Sequence, residues 1–224
     1  MVAMAMIRKT WVALALIATV LVVGSHGFAS ASDAVAPPSG AMAQMKDLAN
    51  QIIAASKDSD CKAASQACRQ KLRSLVEPHW EMYEMARMAL GVHWKSLDDS
   101  ERQRFARLFA DLIEGIYLSR ASLSNAEGVA KDVKIDFVRE IPDGDDYSQV
   151  NTLVTMHGHE KPICVDYRLK RDGGTWKAYD VLVDKISVVS NYRNQFSRVI
   201  NNKGYPELVR ELQEKVQQVN SQGT

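Results

Sequence analysis

The stretch VNTLVTMHGHEKPICVDYRLKRDGGTWKAYDVLV, residues 150–183, decides the fold. Val150, Thr152, Val154 and Met156 recur at every second position, and so do Ile163, Val165, Tyr167 and Leu169. A period of two puts one set of side chains on one face of a half-buried strand. Asp172-Gly173-Gly174 is a hairpin signal, and Trp176 opens a further strand that runs to Val183. Just upstream, Val133, Ile135 and Phe137 alternate with Lys134 and Asp136, and residues 142–146 (PDGDD) form a turn. About four strands joined by turns this short must pair antiparallel, because a parallel pair needs a crossover of a dozen residues or more.

Moving outward from the strands, the period changes to that of a helix on both sides. Met42, Met45, Leu48, Ile52 and Ile53 recur at helical spacing, and residues 57–67 are polar and read as a loop. A short helix through Leu72–Val76 stops near Pro78, and another covers about residues 81–90 and ends at Gly91. Asp98 with Glu101 three residues on forms a capping box. Behind it, Phe105, Leu108, Phe109, Leu112, Ile113, Ile116 and Tyr117 form one broad apolar face of a long helix. After the strands, Ser187 caps a helix carrying Val188, Tyr192, Phe196, Val199 and Ile200, which Gly204 ends. Pro206 suits the first turn of a last helix with Leu208, Leu212, Val216 and Val219. Helices, then strands, then helices make an α+β fold in which N- and C-terminal helices wrap one twisted antiparallel sheet.

Of the 224 residues, 46% are hydrophobic and 25% charged, the profile of a globular chain and not of a disordered or polytopic membrane one. Arg8-Lys9, the apolar run from Trp11 to Val23 and Ala29-Ser30-Ala31 read as a secretory signal peptide over residues 1–31, cut after Ala31. The run is shorter than the roughly 20 residues that a membrane span needs. Residues 32–40, rich in Ala, Pro and Ser, read as a linker, 41–219 as a single domain and 220–224 as a frayed tail. The segment 1–31 holds Arg8 and Lys9 and no acid, so the formal charge of +1 becomes −1 without it. Near-neutral charge with no basic block gives no footprint for nucleic acid. In an oxidising compartment Cys61 and Cys68 are a candidate disulfide. Seven residues apart on one continuous helix they would stand about 10 Å apart, so the bridge requires a loop or a helix end there. Cys164 is left over as a small buried strand residue.

The residues with reactive side chains do not assemble into a catalytic signature. His157-x-His159 on a strand, near Cys164 and Asp166, lacks the three or four convergent ligands of a zinc site. His93 beside Trp94 has no nucleophile signature near it, and Asp143, Asp145 and Asp146 lack the spacing and terminal Glu of an EF-hand loop. P-loop, GxGxxG, HExxH and GxSxG motifs are absent. These residues favour binding over catalysis, with no metal and no cofactor. An enzyme using His93, or His157 with Asp166, and a protein-binding adaptor are the alternatives.

Three segments together resemble the MlaC, or toluene-tolerance, family of periplasmic phospholipid-binding proteins. They are residues 85–94 (MARMALGVHW), the Phe105, Phe109, Leu112, Tyr117 face, and residues 176–181 (WKAYDV) leading to 186–196 (ISVVSNYRNQF). The likeness spans about residues 42–219. Lys185 departs from it, since that family carries Gly after the acid. Lys takes positive φ less readily, so a different turn is expected there. The 61–68 stretch resembles an insertion.

The resemblance implies helices around a twisted sheet with a deep apolar cavity, and a periplasmic carrier with glycerophospholipid as cargo. The implied partners are an outer-membrane lipoprotein–porin complex and an inner-membrane ABC transporter with an MCE-domain ring. The cavity would be lined by Leu108, Leu112 and Ile116 on the long helix and by Val154, Val165, Tyr167, Val181 and Val183 on the sheet. Val188, Tyr192 and Phe196 would complete it. Trp94 and Trp176 are expected as anchors, and Arg193 as a partner of a phosphate, Asp180 or Asp184.

Overall fold

The computed structural model describes residues 40–56, 66–126, 134–155 and 161–221. The signal peptide, Cys61, Met156, His157, His159 and residues 222–224 lie outside the described residues. Helices α1 (Ala41–Ser56), α2 (Gln66–Val76), α3 (Met82–Leu90) and α4 (Asp99–Ala126) come first. The strands β1 (Lys134–Asp143), β2 (Tyr147–Thr155), β3 (Ile163–Asp172), β4 (Thr175–Val183) and β5 (Ile186–Ser187) follow, and α5 (Val188–Lys203) and α6 (Tyr205–Ser221) close the chain. The architecture is α+β, an antiparallel meander in the order β1-β2-β3-β4-β5 flanked by helices.

The local signals act where the sequence puts them. Asp98 Oδ1 accepts from the Glu101 amide at 2.8 Å and Glu101 Oε2 from the Asp98 amide at 3.0 Å, the reciprocal pair of a capping box. Ser187 Oγ accepts from the Ser190 amide at 2.9 Å and starts α5. Gly91 ends α3 with φ 57 and ψ −125, a backbone shape that is costly for any residue with a Cβ. A Cβ there would also stand 3.2 Å from Arg193 Cδ.

Three boundaries differ from the sequence expectation. A fifth strand exists because the turn at Asp184-Lys185 folds the chain back on β4, pairing Ile186 with Val183 and Ser187 with Leu182. The segment 57–67 is not loop to its end: α2 already begins at Gln66, so Cys68 sits in its first turn. It is buried and disulfide-bonded, whereas Cys164 is a free thiol. Finally, α6 continues through Asn220 to Ser221, because Val219 is still buried and keeps the last turn packed.

Two long-range ties of α1 go to the sheet. Glu140 of β1 accepts from the Ala41 and Met42 amides at 3.1 and 2.9 Å, capping α1 from 98 residues away. Gln44 of α1 forms two bonds of 2.9 Å with the backbone of Trp176, donating to its carbonyl and accepting from its amide. Together with the Glu81 amide on the Ala178 carbonyl, this covers the start of β4 on the side that β3 leaves unpaired. A strand edge left open there would be a template for foreign strands. Elsewhere α4 packs on α3 and α6, and α5 packs on α3, α6 and β4.

Candidate functional site

Strand register fixes which side chains share the inner face of the sheet. Three cross-strand rows are Ile135–Val154–Ile163, Phe137–Thr152–Val165–Val183 and Glu140–Val150–Tyr167–Val181. A fourth joins Ser148, Leu169 and Ala178. Two irregularities keep these rows in phase: one between Phe137 and Arg139, the other where Arg168 pairs Asp180 but Leu169 pairs Ala178. Each inserts one residue and so returns the next inward residue to the same face. The expected Val154, Val165, Tyr167, Val181 and Val183 therefore form one contiguous surface, each at most 2% exposed.

The polar atoms on this surface are turned back into the protein. Thr152 Oγ1 donates to the Val165 carbonyl at 2.7 Å, and Ser148 Oγ donates to Glu140 at 3.2 Å while Glu140 caps α1. Burial pushes the Tyr167 hydroxyl well above the ordinary tyrosine range, so it stays neutral at any physiological pH. Apart from Glu140, whose carboxylate is turned to the Ala41 and Met42 amides, what remains is an uncharged face suited to hydrocarbon.

The helical members of the expected lining divide. Leu112 and Ile116 are buried and Leu108 is half-buried, all on one stripe of α4. Val188 is buried at the first position of α5, beside the sheet. Tyr192 and Phe196 instead join an aromatic cluster between helices. The Phe109 ring meets Tyr192 edge-on at 5.2 Å and Phe196 at 5.9 Å, and Phe105 meets Phe196 edge-on at 5.8 Å. Edge-to-face pairs at such distances add attraction beyond burial, so these rings fasten α5 to α4.

The charged residues near the site have structural partners. Asp180, 1% exposed, accepts from Ser187 Oγ at 2.7 Å and from the Val181 and Val189 amides at 2.9 and 3.2 Å. It joins the end of the sheet to the start of α5, and Arg168 approaches it at 3.4 Å. Arg193 was expected on a phosphate, Asp180 or Asp184. Its Nε donates instead to the Met88 carbonyl at 2.7 Å, because the side chain lies against Gly91 at the C-terminus of α3. The Asp166 carboxylate, on the outer face, is held by Asn151 at 2.6 Å and by Lys185 at 2.7 Å.

Lys185 itself adopts φ 68 and Asp184 φ 46, so the turn takes the left-handed form that favours glycine in spite of the lysine. Sequence reading did not find Gln44, Glu140 or the role of Asp180. A buried Gln or Asp amid apolar neighbours was the only signal available, and it names no partner.

Trp94 and Trp176 are both buried, with Arg102 stacked over the first and Arg171 over the second. Among the described residues, no group of three or more His, Cys, Asp or Glu is arranged to hold a metal ion. No helix among them is long and apolar enough to cross a membrane.

Comparison with known proteins agrees with this architecture. The chain is 22% identical over 153 residues to the intermembrane phospholipid transport system binding protein MlaC of Haemophilus influenzae, covering 66% of this chain and 69% of that one. Its fold is similar to that of a phospholipid-binding protein from Ralstonia solanacearum solved with a phospholipid. The TM-score is 0.69 at 22% identity, covering 80% of this chain and 98% of the other. The sequence model of the MlaC protein family matches residues 46–214, from α1 through every strand into α6, and the chain belongs to that family.

Proposed function

We propose that this protein is a periplasmic phospholipid carrier that moves lipid between membrane complexes. The observation that carries the reading is the inner face of the sheet, contiguous and apolar with its polar atoms satisfied internally, in a chain of the MlaC family. The relatives described above are named for phospholipid transport and binding, which supports the same cargo here.

The energetics explain why such a cargo needs such a surface. Burying a methylene is worth about 0.8 kcal/mol. Two acyl chains of some 15 methylenes each would therefore lose roughly 24 kcal/mol on entering water bare. Transfer between membranes on that scale needs a carrier that keeps both tails dry and leaves the headgroup near water. An apolar face reads tails and not headgroups, so broad headgroup tolerance follows. The protein carries no P-loop, so release is to be driven by docking on the inner-membrane ABC transporter with its MCE-domain ring. The outer-membrane lipoprotein–porin complex is the second partner of the reading.

Native mass spectrometry of the protein recovered from periplasm tests this. The expected result is a chain beginning at Ser32 with added mass equal to intact phospholipid, unchanged in a His93→Ala variant. A bare chain that stays bare after incubation with phospholipid vesicles would refute the carrier.

A further inference from the structure

Val154, Val165 and Tyr167 are each at most 2% exposed, so acyl chains reach the inner face only when the helices in front of it part. Those helices fall into two groups. In one, α1 packs on α2 and on β1 and β2. In the other, α3 packs on α4 and α5, α6 packs on α4 and α5, and α3 and α5 rest on β4. The rings of Phe105, Phe109, Tyr192 and Phe196 fasten this second group internally. Strand β3 lies between the two footprints, so the joint between the groups runs over it. An ion pair spans the joint: the Arg73 guanidinium of α2 bonds to the Glu114 carboxylate of α4. Beside it, Leu72 and Leu75 of α2 and Leu112 and Ile113 of α4 belong to the apolar core. The two charged side chains are 53% and 23% exposed, so they sit at the outer rim of an apolar seam.

We propose that Arg73 and Glu114 form a latch that holds the seam between α2 and α4 shut over bound lipid and parts when lipid is loaded or released. The inference rests on the carrier reading and adds the place where the shell opens. The two kinds of contact across the seam respond differently to cargo. Apolar attraction is non-directional, so the seam's side chains exchange one another for entering hydrocarbon at little cost. The ion pair has no such substitute and must be broken. Its rim position keeps that step small and screened by salt, which suits a closure that opens in every cycle. Asp111 and Glu77 add to the negative field around the guanidinium, so Arg73 keeps acidic neighbours when Glu114 is neutralised.

The test times lipid exchange. Mature protein loaded with fluorescent phosphatidylethanolamine is mixed with unlabelled vesicles of phosphatidylethanolamine and phosphatidylcholine, which carry no net charge, so a change in protein charge leaves the encounter unaltered. Arg73→Gln and Glu114→Gln are each expected to release lipid about two- to fivefold faster than the wild type, the range that one rim ion pair supplies. The double variant should be no faster than Arg73→Gln, since both changes remove the same pair. Added salt should speed the wild type and leave the double variant unchanged. A second arm fixes the seam. Arg73→Cys with Glu114→Cys, in a Cys164→Ser background that removes the free thiol, is joined by a bis-maleimide. The cross-linked protein is expected to stop exchanging, whereas the same protein capped with N-ethylmaleimide exchanges fast. Wild-type rates in both single variants, single effects that add in the double variant, or a cross-linked protein as fast as the capped one each overturn the latch while leaving the carrier intact. A wild type that takes up no lipid from any of these vesicles overturns both.

Discussion

Lys185 holds a left-handed backbone conformation and at the same time supplies the cation nearest the buried Asp166 carboxylate. The two roles pull a substitution in opposite directions. Lys185→Ala keeps the strained φ and loses the ion pair, and a charged hydrogen bond to a side chain as exposed as Lys185 falls at the low end, about 1–1.5 kcal/mol. Lys185→Gly loses the same pair but relieves about 1 kcal/mol of left-handed strain. Thermal melts are expected to rank wild type at or above Lys185→Gly, with Lys185→Ala clearly last. His79 offers a second residue-level effect. Gln44 Nε2 donates to its Nδ1 at 2.7 Å, an arrangement that needs this nitrogen unprotonated. Burial lowers the His79 pKa below its ordinary value, more than a hydrogen bond with the Trp176 backbone and the nearby Asp47 raise it. The unfolded chain thus takes up a proton near pH 6.5 while the folded chain does not. Stability is whole above that pH and lost as pH falls through it toward the folded value. Between pH 7 and 5 the wild type is expected to lose more stability in melting curves than His79→Gln, which keeps an acceptor and cannot titrate.

At the scale of elements, the joint between α3 and α5 is built on the absence of a side chain. Gly91 lets α3 stop with a backbone shape that other residues resist, and the space beside it is filled by Arg193, which ties α5 to the Met88 carbonyl in the last turn of α3. Gly91→Ala should cost about 2–3 kcal/mol, adding backbone strain to the clash at Arg193. In the Arg193→Ala background the cost should shrink but not vanish, because the strain remains; denaturant unfolding of the four proteins measures it.

The same joint marks the limit of what sequence reveals. The capping box at Asp98, the cap at Ser187 and the stops at Gly91 and Gly204 are all legible, since each is an interaction across three or four residues. Glu140 on α1, Gln44 on Trp176 and Asp180 on Val189 are not, because their partners are chosen by how elements pack. Tyr192 and Phe196 belong with these: their spacing names a buried face, but only the crossing of α4 and α5 assigns that face to the helix interface. The two strand irregularities escaped for a different reason. An inserted residue at Val138 or Tyr179 breaks the alternation locally, and a reading by period of two steps over it.

For the molecule as a whole, the apolar inner face makes stability and cargo separable by substitution. Val165 stands at the centre of the face, in the row Phe137–Thr152–Val165–Val183. Val165→Phe adds volume on the side where the carrier reading places the tails, at a folding cost of about 1–3 kcal/mol for overpacking. The folded variant is expected to retain less lipid, and lipid with shorter chains, in solvent extracts. An unchanged lipid profile would remove the inner face from the binding site.

The long-range ties of α1 also bear on how the chain comes into being. Helix α1 is capped by a residue 98 positions later and clamped to a strand 132 positions later. At a synthesis rate of about 5–20 residues per second, α1 waits roughly 5–20 s for its first partner and longer for its second. An isolated helix of this length is marginal in water. On the export reading of residues 1–31, the leading part of the chain stays slack and threadable while a translocation channel takes it up. The domain locks only after its last long strand has reached the far side.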